Sequence, residues 1–177
     1  QDPGIRQELL GEAERRGATR IVLVDTGRLR VGALGLRGAH QWSNAWVAAA
    51  ALGELPASFG SAGDKMPESF AHAHIPGRFE VRGRWIFDVA HNPDGMQVLV
   101  ATLREFRPPR PVHALVGIRN DKEWRPMLEL LAPEVDRLVL TVAPTVPPGQ
   151  RGVREDVAGW ARGRSGGGAA PPAVVLA

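Results

Sequence analysis

Strands alternating with helices through the second half of the chain predict an α/β protein, doubly wound around a parallel sheet. Short apolar runs that fit a pleated, covered surface recur at Trp85–Phe87, Val112–Val116 and Arg137–Thr141. Segments of helical period, Pro93–Phe106 and Glu123–Leu131, lie between them. In the first of these, Met96, Leu99, Val100, Leu103 and Phe106 fall on one face.

The elements follow in order. Ile5, Leu9, Leu10 and Ala13 set a helix over about Ile5–Arg16 that stops at Gly17. Ile21–Val24 reads as a short strand, and Leu29, Val31 and Leu34 as another. Gln41–Leu55 is an Ala-rich helix. Pro56–Pro76 has no sustained period and is the best domain boundary, with a short helix expected around Glu68–Ala73. Phe79–Val81 and Trp85–Phe87 flank a turn at Gly83, and the second of these is expected to be buried. Asn92 is a good N-cap and Pro93 suits the first helical position, where its missing N–H is not needed. A further helix is expected at Val153–Ala161, then a final strand at Ala173–Leu176.

Composition excludes several classes. No run approaches the ~20 apolar residues of a membrane helix, so no membrane role is expected. The chain has no Cys, which removes disulfides, thiolate metal sites and a cysteine nucleophile. Net charge is +3, carried almost wholly by arginines scattered along the chain, with Lys65 and Lys122 the only lysines. Without a basic block or interleaved aromatics, nucleic-acid binding is not expected. The start, Gln1-Asp-Pro-Gly, is polar and has no initiator Met, and the last strand has no helix after it; the chain reads as a fragment.

Four clusters can carry chemistry. Gly38-Ala-His-Gln41-Trp-Ser43-Asn44 enters the Ala-rich helix. Its carboxamides, Gln41 and Asn44, offer donor and acceptor together, which suits an adenine edge, although Gln41 or Ser43 also serves as a simple cap. In Pro76-Gly77-Arg78-Phe79-Glu80, an Arg beside a Gly at a domain entrance suits a phosphate. Asp88, His91 and Asn92 share a strand-to-helix loop, where a helix N-terminus favours anions. Val116-Gly-Ile-Arg-Asn-Asp121-Lys122-Glu123 ends the next strand, on the same sheet edge if the strands are parallel neighbours. Asp121 and Lys122 are read as structural. No G-x-x-x-x-G-K-[ST] motif occurs, so any cradle for ATP phosphates is outside this sequence, and no carboxylate is assigned to a metal.

Taken in order, the segments GAHQWSNAWVAAAAL, PGRFEVRGRWIFDVAHNPDGMQVLVATL and ALVGIRNDKEWRPMLELLAPEVDRLVLT resemble the folylpolyglutamate synthase/dihydrofolate synthase family of the Mur ligase superfamily. The Asp-x-Ala-His-Asn-Pro stretch is the most specific; in the third segment Glu123 replaces the usual Asp. The resemblance implies that residues 1–56 are the tail of a P-loop-type ATPase domain, 57–76 a linker, and 77–177 a truncated, Rossmann-like C-terminal domain with a mostly parallel sheet. It implies that Asn44, with Gln41 beside it, contacts adenine, and that Arg78 reaches the phosphates. Asp88 would contact the nucleotide, and His91 would lie near the transferred phosphate or the incoming glutamate; Arg78 and His91 are the candidate catalytic residues. The implied reaction is ATP- and Mg²⁺-dependent ligation of L-glutamate to a folate by a cytoplasmic, monomeric enzyme, the metal ligands and P-loop lying outside this sequence. Alone, the fragment is expected to be inactive. The resemblance weakens after Thr141, where Pro144–Arg151 replaces an Asn-Pro-Arg-like turn, and no glutamate-binding role is assigned there. Alternatives are a Mur ligase of peptidoglycan synthesis, which shares the Asp88–Pro93 loop, and a non-catalytic Rossmann-like nucleotide-binding module.

Overall fold

A computed structural model of the chain describes residues 3–26, 32–56, 58, 66–142, 147, 159–160 and 173–176. The chain divides into two compact units, Gln1–Leu34 with Gln41–His72, and Gly35–His40 with Ala73–Ala177. The chain therefore visits the second unit briefly at Gly35–His40 before returning to the first.

In the first unit, α1 spans Pro3–Arg15. Glu12 holds Arg15 and Arg16 one turn on, each at 2.6 Å, and Gly17 ends the helix at φ 77, a left-handed stop that glycine adopts without strain. Its expected apolar face is open, with Ile5 58% and Leu9 61% exposed. The helix α2 is His40–Gly53 and α3 is Met66–Ala71. Ile21–Val24 is not a strand: the segment is irregular, and Leu23 is 57% exposed. A strand exists through its backbone pairing, and no described segment pairs with this one. The second expected strand of this region falls largely on residues outside the described ones.

The second unit opens with an antiparallel hairpin of β1 (Glu80–Arg82) and β2 (Trp85–Phe87), with Val81 opposite Ile86. Gly83 occupies the first loop position at φ 58, which suits the tight turns whose twist matches such a hairpin. Helix α4 (Pro93–Phe106) follows. Then come β3 (His113–Gly117), α5 (Trp124–Leu131), a 3₁₀ turn at Ala132–Glu134, β4 (Arg137–Thr141) and β5 (Ala173–Leu176). The strands run β3-β4-β5, all parallel, with Leu115 opposite Val139 and Val139 opposite Val175. This is the expected α/β fold. Parallel neighbours require crossovers, and the α5 crossover covers one face of the sheet. That face is the core: Leu138 and Leu140 of β4 meet Met127, Leu128 and Leu131 of α5 and Met96, Val100 and Leu103 of α4. Trp160 joins it from a helical pair of residues; the rest of the helix expected at Val153–Ala161 lies outside the described residues, as does most of Pro144–Arg151.

Two expectations fail here. The strand Trp85–Phe87 is not buried: Trp85 is 60% and Phe87 47% exposed, and only Ile86 packs against the core. Alternation on a hairpin puts one side chain in and its neighbours out, so a continuous apolar run does not guarantee two covered faces. Among the described residues β2 pairs with β1 alone, in a separate two-stranded sheet, so the condition for its loop to share an edge with the β3 loop, that the strands be parallel neighbours, is not met.

Candidate functional site

The sequence-derived site residues fall into two groups, one in each unit: Gln41 and Asn44 in the first, Arg78, Asp88 and His91 in the second.

On the first turns of α2, Asn44 Nδ2 donates to Gln41 Oε1 at 3.0 Å. Gln41 is buried and Asn44 exposed. The bond fixes two carboxamides one turn apart and leaves outside it the acceptor of Asn44 and the donor of Gln41. That pair of functions is what the edge of an adenine presents in reverse.

In the second unit the chain makes a tight, strained turn at Gly77–Glu80. Gly77 has φ 71 and Phe79, a non-glycine, φ 45. Such a residue costs about 1–3 kcal/mol and persists only when its surroundings fix it. They do so here. The Phe79 ring is 3% exposed and meets Phe106 edge-on at 5.5 Å. Its amide donates to Asp88 Oδ2 at 2.9 Å, Gly77 N donates to Glu80 Oε2 at 2.9 Å, and Val89 N donates to Gly77 O at 2.9 Å. Arg78 N donates to Ile75 O at 3.2 Å. The Arg78 side chain is exposed, and makes no ion pair among the described residues. A guanidinium displayed from a rigid turn, with its fork of donors open, is suited to bidentate capture of an anion.

Gly77 has a second reason to be glycine, since an added Cβ would lie 2.7 Å from Val89 Cγ1. Gly77→Ala is expected to destabilise the protein by about 1–2 kcal/mol, read as a lowered Tm, from left-handed strain combined with that clash. An unshifted Tm would mean that the turn adapts.

Asp88 organises this loop. While Oδ2 takes the Phe79 amide, Oδ1 accepts from Ala90 N at 2.8 Å, so both oxygens are engaged with backbone. The family resemblance implied a nucleotide contact for Asp88, and the residues themselves left its conformational role open. Asn92 caps α4 as expected, its Oδ1 accepting from Gly95 N at 2.7 Å with Pro93 in the first turn. His91 is exposed just ahead of that helix, with Nδ1 3.2 Å from Val89 O. A carbonyl only accepts, so Nδ1 carries the proton and Nε2 is left for a ligand.

Two further side chains belong here that lie within the quoted clusters but carried no assigned role. His40 arrives on the Gly35–His40 strap, whose Arg37 lies over the Phe106 ring at 5.0 Å. Gly38 at φ 99 leaves no room for a Cβ, which would fall 2.6 Å from Thr102 Oγ1 and 2.8 Å from the His40 ring. Burial holds His40 below the usual imidazole range; the Asp88 charge opposes that shift and Arg78 adds to it. Glu80 is the other. Its side chain is 8% exposed and takes Arg82 at 2.6 Å as well as the Gly77 amide. The Gly77 N–H, followed by Arg82, holds the Glu80 carboxyl below the usual range. A carboxylate paired with an arginine two residues on, on the same side of a strand, was the available signal.

The fourth cluster is paired within its own turn. Asp121 accepts from Arg119 at 3.1 Å and lies 3.4 Å from Lys122 Nζ. Helix α5 takes Glu123 as N-cap without a side-chain hydrogen bond. Among the described residues no group of three or more His, Asp and Glu could hold a metal ion. Asp88 and Glu80 each have their oxygens engaged by N–H donors, and no Mg²⁺ ligand is assigned among the described residues. No described helix is long and apolar enough to cross a membrane.

A family model described as Mur ligase, glutamate ligase domain, matches residues 77–165. No curated protein matches the chain. Among solved structures, it is similar to Mycobacterium tuberculosis folylpolyglutamate synthase complexed with ADP, at 26% identity and TM-score 0.73, over 100% of this chain and 43% of that one. It is similar to Escherichia coli FolC in complex with DHPP and ADP, at 26% identity and TM-score 0.52, over 76% of this chain and 35% of that one. It shares its fold with folylpolyglutamate synthase from Thermotoga maritima, at 22% identity and TM-score 0.61, over 96% of this chain and 48% of that one. The chain spans less than half the length of each.

Proposed function

The chain belongs to the Mur ligase family through its glutamate ligase domain, and from that premise we propose that it is part of an ATP-dependent ligase that adds L-glutamate to folates. The supporting observation is the Arg78 turn at the start of the matched segment: an open guanidinium on a backbone locked by Asp88 and Glu80. Two of the similar structures hold ADP, which fits nucleotide handling. On this reading residues 1–56 are the tail of a P-loop ATPase domain, 57–76 a linker and 77–177 the C-terminal domain. Tetrahydrofolate is the proposed acceptor, and an activity on dihydropteroate is a separate question that the assay below answers. A monomer in the cytoplasm completes the reading.

The chemistry is phosphoryl transfer followed by acyl transfer. A substrate carboxylate oxygen attacks the terminal phosphorus of ATP and ADP leaves. The glutamate amine then attacks the acyl carbon, loses a proton, and inorganic phosphate departs. Charge on the phosphoryl oxygens peaks between ground states, so a fixed cationic fork is more valuable than a nucleophile. Arg78 supplies that fork. His91, its Nδ1 tied to Val89 O, presents Nε2, which accepts the amine proton when the ring is neutral and donates to the phosphate once protonated. Gln41 and Asn44 read the adenine edge. Mg²⁺ and the phosphate cradle are supplied by residues beyond this sequence.

The test is an assay of the full-length gene product with ATP and glutamate, with tetrahydrofolate and with dihydropteroate in parallel. Phosphate release that depends on glutamate and a folate is expected, whereas the 177-residue chain alone should release none, since it has no G-x-x-x-x-G-K-[ST] lysine. Turnover by the short chain, or none by the full-length protein with either acceptor, would sink the reading.

A further inference from the structure

We propose that Glu80 is a positioning residue for Arg78, the clamp that fixes where the guanidinium stands; this rests on the reading of Arg78 as a phosphate-binding residue. Arg78 lies between two amides held by different carboxylates. Phe79 N–H goes to Asp88 and Gly77 N–H to Glu80. With Gly77 at φ 71 and Phe79 at φ 45, the backbone would relax if either anchor were lost, and Arg78 would swing with it.

The Glu80 carboxylate is also kept from capturing Arg78 itself. It lies two residues from that guanidinium and, if unpaired, would compete with any anionic ligand for it. Instead Oε2 is occupied by Gly77 N, while Oε1 takes Arg82 Nε at 2.6 Å and lies 3.5 Å from His74 Nε2. Register places Arg82 opposite Trp85, so the hairpin fixes the partner as well as the clamp. The charge on Glu80 is thus satisfied locally, and Arg78 stays open.

The experiment is a double-mutant cycle in the full-length protein with Arg78→Ala, Glu80→Ala and their combination, measuring kcat and ATP KM for glutamate ligation. Glu80→Ala is expected to lower kcat on the order of 10- to 100-fold, the scale on which a ~1 Å misplacement acts, with little change in KM. In the Arg78→Ala background the same change should have almost no further effect. Equal penalties in both backgrounds would overturn the proposal, since a merely structural role acts whether or not Arg78 is present. If Glu80→Ala fails to fold, Glu80→Gln, which keeps one acceptor for Gly77 N–H, should retain most of kcat, and a loss as large as that of Arg78→Ala would overturn the clamp. If the wild-type protein ligates nothing, the functional reading falls, and amide exchange at Gly77 and Phe79 then judges the clamp. Faster exchange in the Glu80 variant supports it, and unchanged protection overturns it.

Discussion

Arg78→Ala in the full-length protein is expected to lower kcat on the order of 10²–10³-fold, the usual effect of removing one donor aimed at transition-state charge. The KM for ATP should change little. The reason lies in when the interaction is made: a donor fork that meets charge as it develops lowers the barrier, whereas equal binding of substrate and transition state changes only KM. The structure makes this a clean substitution. The turn is held by the Gly77 and Phe79 amides and the buried Phe79 ring, none of which uses the Arg78 side chain. Stability should therefore stay within about ±0.5 kcal/mol, as for other surface changes. Steady-state kinetics with glutamate and a folate, beside a melting curve, checks both parts. An unchanged kcat with a raised ATP KM would demote Arg78 to a ground-state binder.

Much of this was legible in the sequence, for definable reasons. Helix α4 was readable to its ends because Asn92, Pro93 and a five-residue apolar face all agree with one element. Strands β3 and β4 were readable because each is a short β-rich run bounded by loop residues. The burial of β2 was not, since Trp85 and Phe87 carry the same apolar signal whether or not a second sheet face is covered. Ile21–Val24 failed similarly: its residues favour a strand, but pairing is a tertiary fact. At the candidate site, Arg78, Asp88 and His91 are each ordinary for their place, and what picked them out was their order in segments that resemble one family. Glu80 and His40 were not picked out, as their roles come from contacts to Gly77 N–H and from the close approach at Gly38, which spacing does not encode.

Asp88 and Asn92 share one loop and one kind of chemistry, and comparing them separates a functional carboxylate from a cap. Asn92→Ala removes the Gly95 N–H contact and should cost ~1 kcal/mol of stability, the ordinary loss of an N-cap. Asp88→Asn is not silent structurally, because both oxygens accept and an asparagine has only one to offer. The favoured rotamer keeps that oxygen on the amide of buried Phe79 and gives the exposed Ala90 amide to water, a loss of about 0.5–1.5 kcal/mol for one hydrogen bond. The two variants should thus melt at similar temperatures. Their activities should differ sharply. Asn92→Ala loosens the first turn of α4 and leaves the Arg78 turn alone. Asp88→Asn removes the negative charge beside His40 and releases the Ala90 amide next to His91, so ligation should fall by an order of magnitude or more, on the scale of a ~1 Å misplacement. Matched stability with matched activity would show that Asp88 is a structural residue and nothing else. Matched stability with activity lost only in Asp88→Asn places the carboxylate in the working site, acting through the turn that it holds.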